Sequence, residues 1–224
     1  NLVCAETEFP ANVYPWTNLR RRAVDIRFAP ARDNRILPDD VLALVDNRTR
    51  LVAISFVEFG TGYRNNLHDL AGACHQRGVY LCVDGIQGLG ALPLDVQDTE
   101  VDLLAAHAAK WMLGPIGAGF VYIRPDLMSR IEPVMAGWRG VVDRDNYYCY
   151  DSPLRASCER FEPGSLNVVG LLGMEAAIHL LLSVGLCEIE TRILALTGLL
   201  VAGLKQRGYT VTSPIAHRSE RSGI

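Results

Sequence analysis

Val79-Tyr80-Leu81-Cys82-Val83-Asp84-Gly85-Ile86-Gln87 is an apolar run of strand length that ends on a carboxylate and a glycine turn. A continuous apolar run this short fits a strand covered on both faces, as in a parallel sheet. The same pattern recurs on either side of it. Leu51-Val52-Ala53-Ile54-Ser55-Phe56 and Val101-Asp102-Leu103-Leu104-Ala105-Ala106 read as further strands, as do Gly119 to Arg124 and Asn1 to Ala5. Between them, Leu67, Leu70, Ala71 and Cys74 recur at helical spacing, and Gly78 stops that helix. Pro38-Asp39-Asp40 opens a shorter helix, with its acids at the favourable N-terminus. Leu171, Met174, Ile178 and Leu181 mark a later helix, and Ile189, Ile193, Leu196, Leu200 and Leu204 a longer one that ends at Gly208. This alternation predicts a layered α/β fold around a mainly parallel sheet.

The bulk numbers are those of an ordinary globular chain. With 224 residues, 49% of them hydrophobic and 21% charged, it can bury a substantial core without staples. A net charge of −3 and dispersed arginines give no electrostatic footprint for nucleic acid. The cysteines at 4, 74, 82, 149, 158 and 187 show neither CxxC spacing nor clustering with histidine, which speaks against zinc and fits a reducing cytoplasm. The most apolar stretch, Ala176 to Leu186, is too short to span a bilayer. The chain starts without methionine and stops at Ser222-Gly223-Ile224, so it is expected to be a fragment. Strand character at Tyr209-Thr210-Val211-Thr212 is expected to open a second, smaller domain over 208–224, after a large domain over 1–207.

Chemistry concentrates at the strand ends, where ligands of such sheets collect. Only two lysines accompany twenty arginines, and one of them, Lys110, follows the strand ending at Ala106. An amine that forms an imine must be partly unprotonated, and a desolvated setting beside an apolar strand would provide that. The bland alternative is a strand-end lysine reaching back to water. Asp84 is either a turn-forming aspartate before glycine or a carboxylate that keeps a pyridine ring nitrogen protonated. Gln87 sits where its amide could meet a ring substituent. His107, three residues before Lys110, could contact an anionic group, and Ser165 is either a helix cap or an anion contact. The glycines 85, 88 and 90 do not match GxGxxG, and no GxxxxGK[ST] loop occurs, which disfavours a Rossmann-type oxidoreductase or a nucleotide site.

Four segments in order resemble the class V aminotransferases, the pyridoxal-phosphate family that includes cysteine desulfurases and epimerase-like members. They are Phe9-Pro10-Ala11-Asn12-Val13-Tyr14-Pro15-Trp16, Val83-Asp84-Gly85-Ile86-Gln87, the stretch from Val101 through Lys110-Trp111-Met112-Leu113-Gly114-Pro115 to Gly119, and Arg160-Phe161-Glu162-Pro163-Gly164-Ser165-Leu166-Asn167. The resemblance implies a three-layer fold and pyridoxal 5'-phosphate held as a Schiff base on Lys110, which would also move the α-proton of an amino-acid substrate. It implies that Asp84 pairs with the pyridinium nitrogen, Gln87 contacts the ring hydroxyl, and Phe9 and Ile86 lie on opposite ring faces. It places His107 at a phosphate-contacting position. Ser165 would reach the phosphate of a partner subunit, hence a homodimer.

The chain departs from the family's pattern at several places. Ala109 stands where many relatives carry histidine, and Phe59 stands in the region of an asparagine of the desulfurases. The family's phosphate-binding loop would lie before Asn1. Its substrate-carboxylate arginine and the desulfurase cysteine would lie beyond Ile224. Phe9, where desulfurases often carry histidine, and the missing asparagine favour an aminotransferase-like or epimerase-like enzyme over a desulfurase. A truncated, non-catalytic scaffold is the rival from another class.

Overall fold

A computed structural model describes residues 1–224. Eight strands form, β1 (Leu2–Ala5), β2 (Ile26–Ala29), β3 (Ala31–Arg32), β4 (Arg35–Ile36), β5 (Leu51–Ser55), β6 (Tyr80–Asp84), β7 (Leu103–His107) and β8 (Gly119–Ile123). The helices are α1 (Tyr14–Thr17), α2 (Pro38–Leu42), α3 (Leu67–His75), α4 (Val168–Val184) and α5 (Leu186–Gln206). Six strands make one sheet in the order β2-β1-β5-β6-β7-β8, parallel throughout except for β8, which runs antiparallel to β7. This is the mainly parallel α/β sheet the alternation predicts. The short β3–β4 hairpin stands apart.

The central strands are apolar because both faces are covered. On one face Val3, Val52, Ile54, Leu81, Val83 and Leu104 join Leu67, Leu70, Ala71 and Cys74 of α3 and Val41 of α2 in the main core. On the other, Leu2, Cys4, Ile26 and Ala53 pack with Trp16 and Val24. That second face is open along β7 and β8, where the paired residues Ala105 and Val121 are exposed. The buried Asp102 ties four elements together at the far end of the sheet. It accepts from His75 Nε2 at 2.9 Å and from the Leu81 N–H at 2.6 Å, and it pairs with Arg124 at 2.5 Å. A carboxylate so enclosed is tolerable because it is paired and hydrogen-bonded.

One expectation fails and two elements were not foreseen. Tyr209–Thr212 forms no strand: the Thr212 carbonyl accepts from the side-chain amide of Asn34, in the β3–β4 turn, at 2.8 Å, and the tail folds back onto the body. Glu220 takes Arg35 at 3.0 Å through both oxygens, and the Ser222 hydroxyl donates to the Gly62 carbonyl at 2.7 Å. The strand β2 and the hairpin are absent from the sequence reading, since Ile26-Arg27-Phe28-Ala29 is short and carries a charge. No single helix is long and apolar enough to cross a membrane; α4 and α5 meet at Gly185 with a bend of 79°.

Candidate active site at the carboxyl ends of the strands

Because β1, β5, β6 and β7 are parallel, their carboxyl ends share one rim. Register sets Ser55 opposite Asp84 and Asp84 opposite Ala105, so the three form one row across the sheet. Backbone bonds lock this rim, from Phe56 N–H to the Asp84 carbonyl and from Gly85 N–H to the Ala105 carbonyl, both at 2.8 Å. The turn after β6 and the turn bearing Lys110 touch directly. Gly90 has φ +94°, and an added Cβ there would sit 2.3 Å from the Trp111 carbonyl oxygen. Similarly, a Cβ on Gly88 would strike the Phe56 ring. These glycines serve close packing of two turns, which is why they follow no nucleotide-binding spacing.

Asp84 is largely withdrawn from water, and this burial raises its carboxyl above the usual range. The Ile86 N–H at 2.9 Å and attraction from the Lys110 amine oppose the rise. Only Oδ1 of Asp84 is hydrogen-bonded, leaving Oδ2 able to accept, and the Gln87 amide has no partner. The Lys110 amine makes no ion pair and lies 5.4 Å from the centre of the Phe9 ring. Phe9 in turn meets Phe59 edge-on, ring centres 5.1 Å apart. Lys110, expected to be desolvated, is exposed instead, held over an aromatic face rather than sunk among aliphatic groups. Ile86 is half-buried in the same turn as Gln87.

The outer residues are placed differently from each other. His107 ends β7, and two backbone N–H groups point at its ring, Gly117 to Nε2 at 2.9 Å and Ala109 to Nδ1 at 3.2 Å. An imidazole that accepts at one nitrogen keeps its proton on the other, so the shorter contact is the better formed. Ser165 is exposed in the loop before α4 and caps nothing. The cap is Asn167, whose Oδ1 accepts from the Gly170 N–H at 3.0 Å and whose amide donates to the Gly117 carbonyl at 3.0 Å. None of Phe9, Asp84, Gln87 and Lys110 lines the surface hollow of about 820 Å³ that runs beside Asn65–Asp69 and Pro93–Thr99.

The sequence reading missed two buried acids beside these residues. Glu8 accepts from the Ser55 N–H at 2.5 Å and from the Ser55 hydroxyl at 2.6 Å. Glu58, with no exposed surface, contacts the Thr7 hydroxyl and the Asn65 amide, each at 2.9 Å. Burial foremost, with the Asp84 charge adding, pushes Glu8 up against the pull of Ser55 and Asn12. Burial and then the charge of Glu8 push Glu58 up to about 8. The available signal was an acid directly before each aromatic, in Thr7-Glu8-Phe9 and Glu58-Phe59, the second within an otherwise apolar run.

An open carboxylate oxygen, a free amide, a free amine and an aromatic face thus converge on one rim. That donor and acceptor set suits a flat, nitrogen-containing ring bearing an aldehyde. The chain is 30% identical over 200 residues to a probable cysteine desulfurase of Methanothermobacter thermautotrophicus, covering 88% of this chain and 49% of that protein. It is 31% identical over 191 residues to a cysteine desulfurase of Salmonella typhimurium, covering 84% and 46%. Its fold superposes on the apo cysteine desulfurase of Thermococcus onnurineus NA1 with a TM-score of 0.90, at 24% identity, over 99% of this chain and 55% of that one. A complex of the cystine C–S lyase C-DES with its product cysteine persulfide gives a TM-score of 0.82 at 27% identity over 92% and 56%. The chain therefore spans about half the length of the curated relatives it matches. The Aminotransferase class-V family model matches residues 1–224, and the chain belongs to that family.

Proposed function

We propose that this chain carries the cofactor site of a pyridoxal-phosphate-dependent enzyme acting on an amino acid. The observation that carries the reading is the pairing of Asp84 and Lys110 at adjacent strand ends, close enough for charge attraction, with Phe9 against the amine. Lys110 would attach the cofactor and move the substrate's α-proton at its Nζ. Asp84 would accept the ring N–H through its open oxygen and hold that proton on the ring. Gln87 would meet the ring hydroxyl, while Phe9 and Ile86 would confine the ring and exclude water. His107 and Ser165 would serve phosphates, Ser165 that of a partner subunit, so the reading carries a homodimer. When bound, the cofactor supplies an electron sink for the pair left as a bond at the substrate's α-carbon breaks.

A second reading, cysteine desulfuration, draws on the relatives at 30% and 31% identity, which bear that name. The aromatic residues Phe9 and Phe59 favour the aminotransferase-like or epimerase-like branch. Sulfide, pyruvate and keto-acid measurements with cysteine as substrate separate the branches. The core reading is tested by incubating the chain with pyridoxal 5'-phosphate and reducing with borohydride. A yellow sample with its adduct mapped to Lys110, and neither in Lys110→Ala, is the expected result. An adduct that survives in Lys110→Ala defeats the assignment. A colourless wild type would favour the non-catalytic scaffold.

A further inference from the structure

Glu8 and Glu58 lie outside the roles just given, yet each immediately precedes one ring of the Phe9–Phe59 pair, whose Phe9 meets the Lys110 amine. Their hydrogen bonds cross over. Glu8, before Phe9, holds Ser55 at the end of β5, whereas Glu58, before Phe59, holds Thr7 at the start of the Phe9 segment. Asn65 bridges the crossing, donating to both the Ser55 carbonyl and Glu58 at 2.9 Å. The partners also assign the proton between the two acids. A backbone N–H can only donate, so the Glu8 oxygen facing Ser55 must accept, and the serine hydroxyl can supply the other oxygen. The buried Asn12 amide also lies beside Glu8, although its Nδ2 completes no well-formed bond. Glu8 is therefore placed among donors. At Glu58 the Asn65 amide is a donor, but the Thr7 hydroxyl can turn to accept, which leaves room for one carboxyl proton.

We propose that Glu8 and Glu58 are positioning residues for the Lys110 amine: ionised Glu8 and protonated Glu58 cross-link Thr7–Phe9 to Ser55–Phe59 and so hold the Phe9 ring against that amine. The inference rests on the reading of Lys110 as the cofactor-attaching residue. Removing the Glu58 proton leaves two buried carboxylates that repel each other, with the charge of Asp84 adding to the repulsion. Tyr63 bears on Glu58, the thiols of Cys4 and Cys82 bear on Glu8, and the Lys110 ammonium, the nearby cation, attracts Asp84. The added repulsion falls on the crossing, and the Phe9 ring is released from Lys110.

The chain's two lysines provide a readout that needs no cofactor, because Lys205 is exposed on α5 and serves as an internal reference. The full chain is briefly acetylated with acetic anhydride, and the Lys110 to Lys205 ratio is read by peptide mass spectrometry at pH 7 and pH 9. The Phe9 ring lies against one side of the amine and shields it from the reagent, so its release should raise the wild-type ratio ~3-fold between the two pH values. Glu58→Gln keeps an amide donor for Thr7 and an acceptor for Asn65, so its ratio should stay flat. Glu58→Ala should show the raised ratio already at pH 7. Identical profiles in wild type and Glu58→Gln overturn the proposal, and that comparison decides even if Glu58→Ala fails to fold. Borohydride mapping with pyridoxal 5'-phosphate on the same samples separates the two readings. An adduct at Lys110 with matching ratio profiles removes the clamp alone, whereas shifted ratios with no adduct remove the cofactor reading and leave the clamp.

Discussion

Glu58 differs from the other site residues in that its effect is readable without any ligand. Burial lifts its folded-state pKa from the ordinary 4.5 to about 8, so the folded chain retains a proton that the unfolded chain releases between those values. A raised pKa gives stability that is whole below the unfolded value and is lost as pH climbs through the folded one. The thermal midpoint of wild type should therefore drop from pH 6 to pH 9, and Glu58→Gln should remove on the order of 5 °C of that drop. Some slope should remain, because Glu8 and Asp84 are shifted in the same direction. Matching slopes by calorimetry would show that Glu58 is ionised in the folded chain. The strand-end placement of Asp84 and Lys110 was legible in sequence, because one closes an apolar run and the other follows one closely. Glu8 and Glu58 were not, since their role comes from a contact between residues 51 positions apart, Thr7 and Glu58. Exposure of Lys110 was equally invisible, because an apolar neighbour in sequence does not say which way an amine points.

Among the elements, the two turns at the rim depend on each other, and Gly90 is where that dependence is most exposed to test. Its positive φ disfavours any side chain, and the Trp111 carbonyl occupies the space a Cβ would need. Gly90→Ala should cost about 3 kcal/mol and displace the turn that carries Lys110. Denaturant unfolding checks the first part, and a weakened borohydride adduct at Lys110 the second. A change below about 0.5 kcal/mol, within the range of ordinary surface substitutions, would mean the turns separate freely. The long strands and helices were readable because burial on both faces leaves a continuous apolar run and burial on one face a helical period. Even the inward row of α4, Leu171, Met174, Ile178 and Leu181, is the less exposed one. Of the two roles left open for Ser165, the helix cap falls to Asn167 instead, two residues on. Serine and asparagine both cap well, and only the tertiary bond from Asn167 to the Gly117 carbonyl distinguishes them.

At the scale of the whole molecule, the sheet is covered unevenly, and the uncovered part is apolar. Val121 of β8 is 54% exposed, and on α4 Val169 and Leu172 are 84% and 60% exposed, one turn apart on the outward side. Leu199 of α5, at 72%, extends the same character. Exposed apolar side chains on three elements favour association in water, and β8 adds an edge strand with no partner beyond it. The chain by itself should therefore self-associate. Sedimentation should give a weight-average mass above 24.6 kDa that rises with concentration in the micromolar range. Val169→Lys combined with Leu172→Glu places two charges on the outward side of α4, away from Leu181 in the core, and should return the mass towards the monomer with little change in thermal midpoint. A wild type that sediments as a monomer at every concentration would mean that α4 and β8 tolerate water as they stand. A double variant that associates as strongly as wild type would instead move the contact to the β8 edge, where Val121→Lys becomes the discriminating substitution.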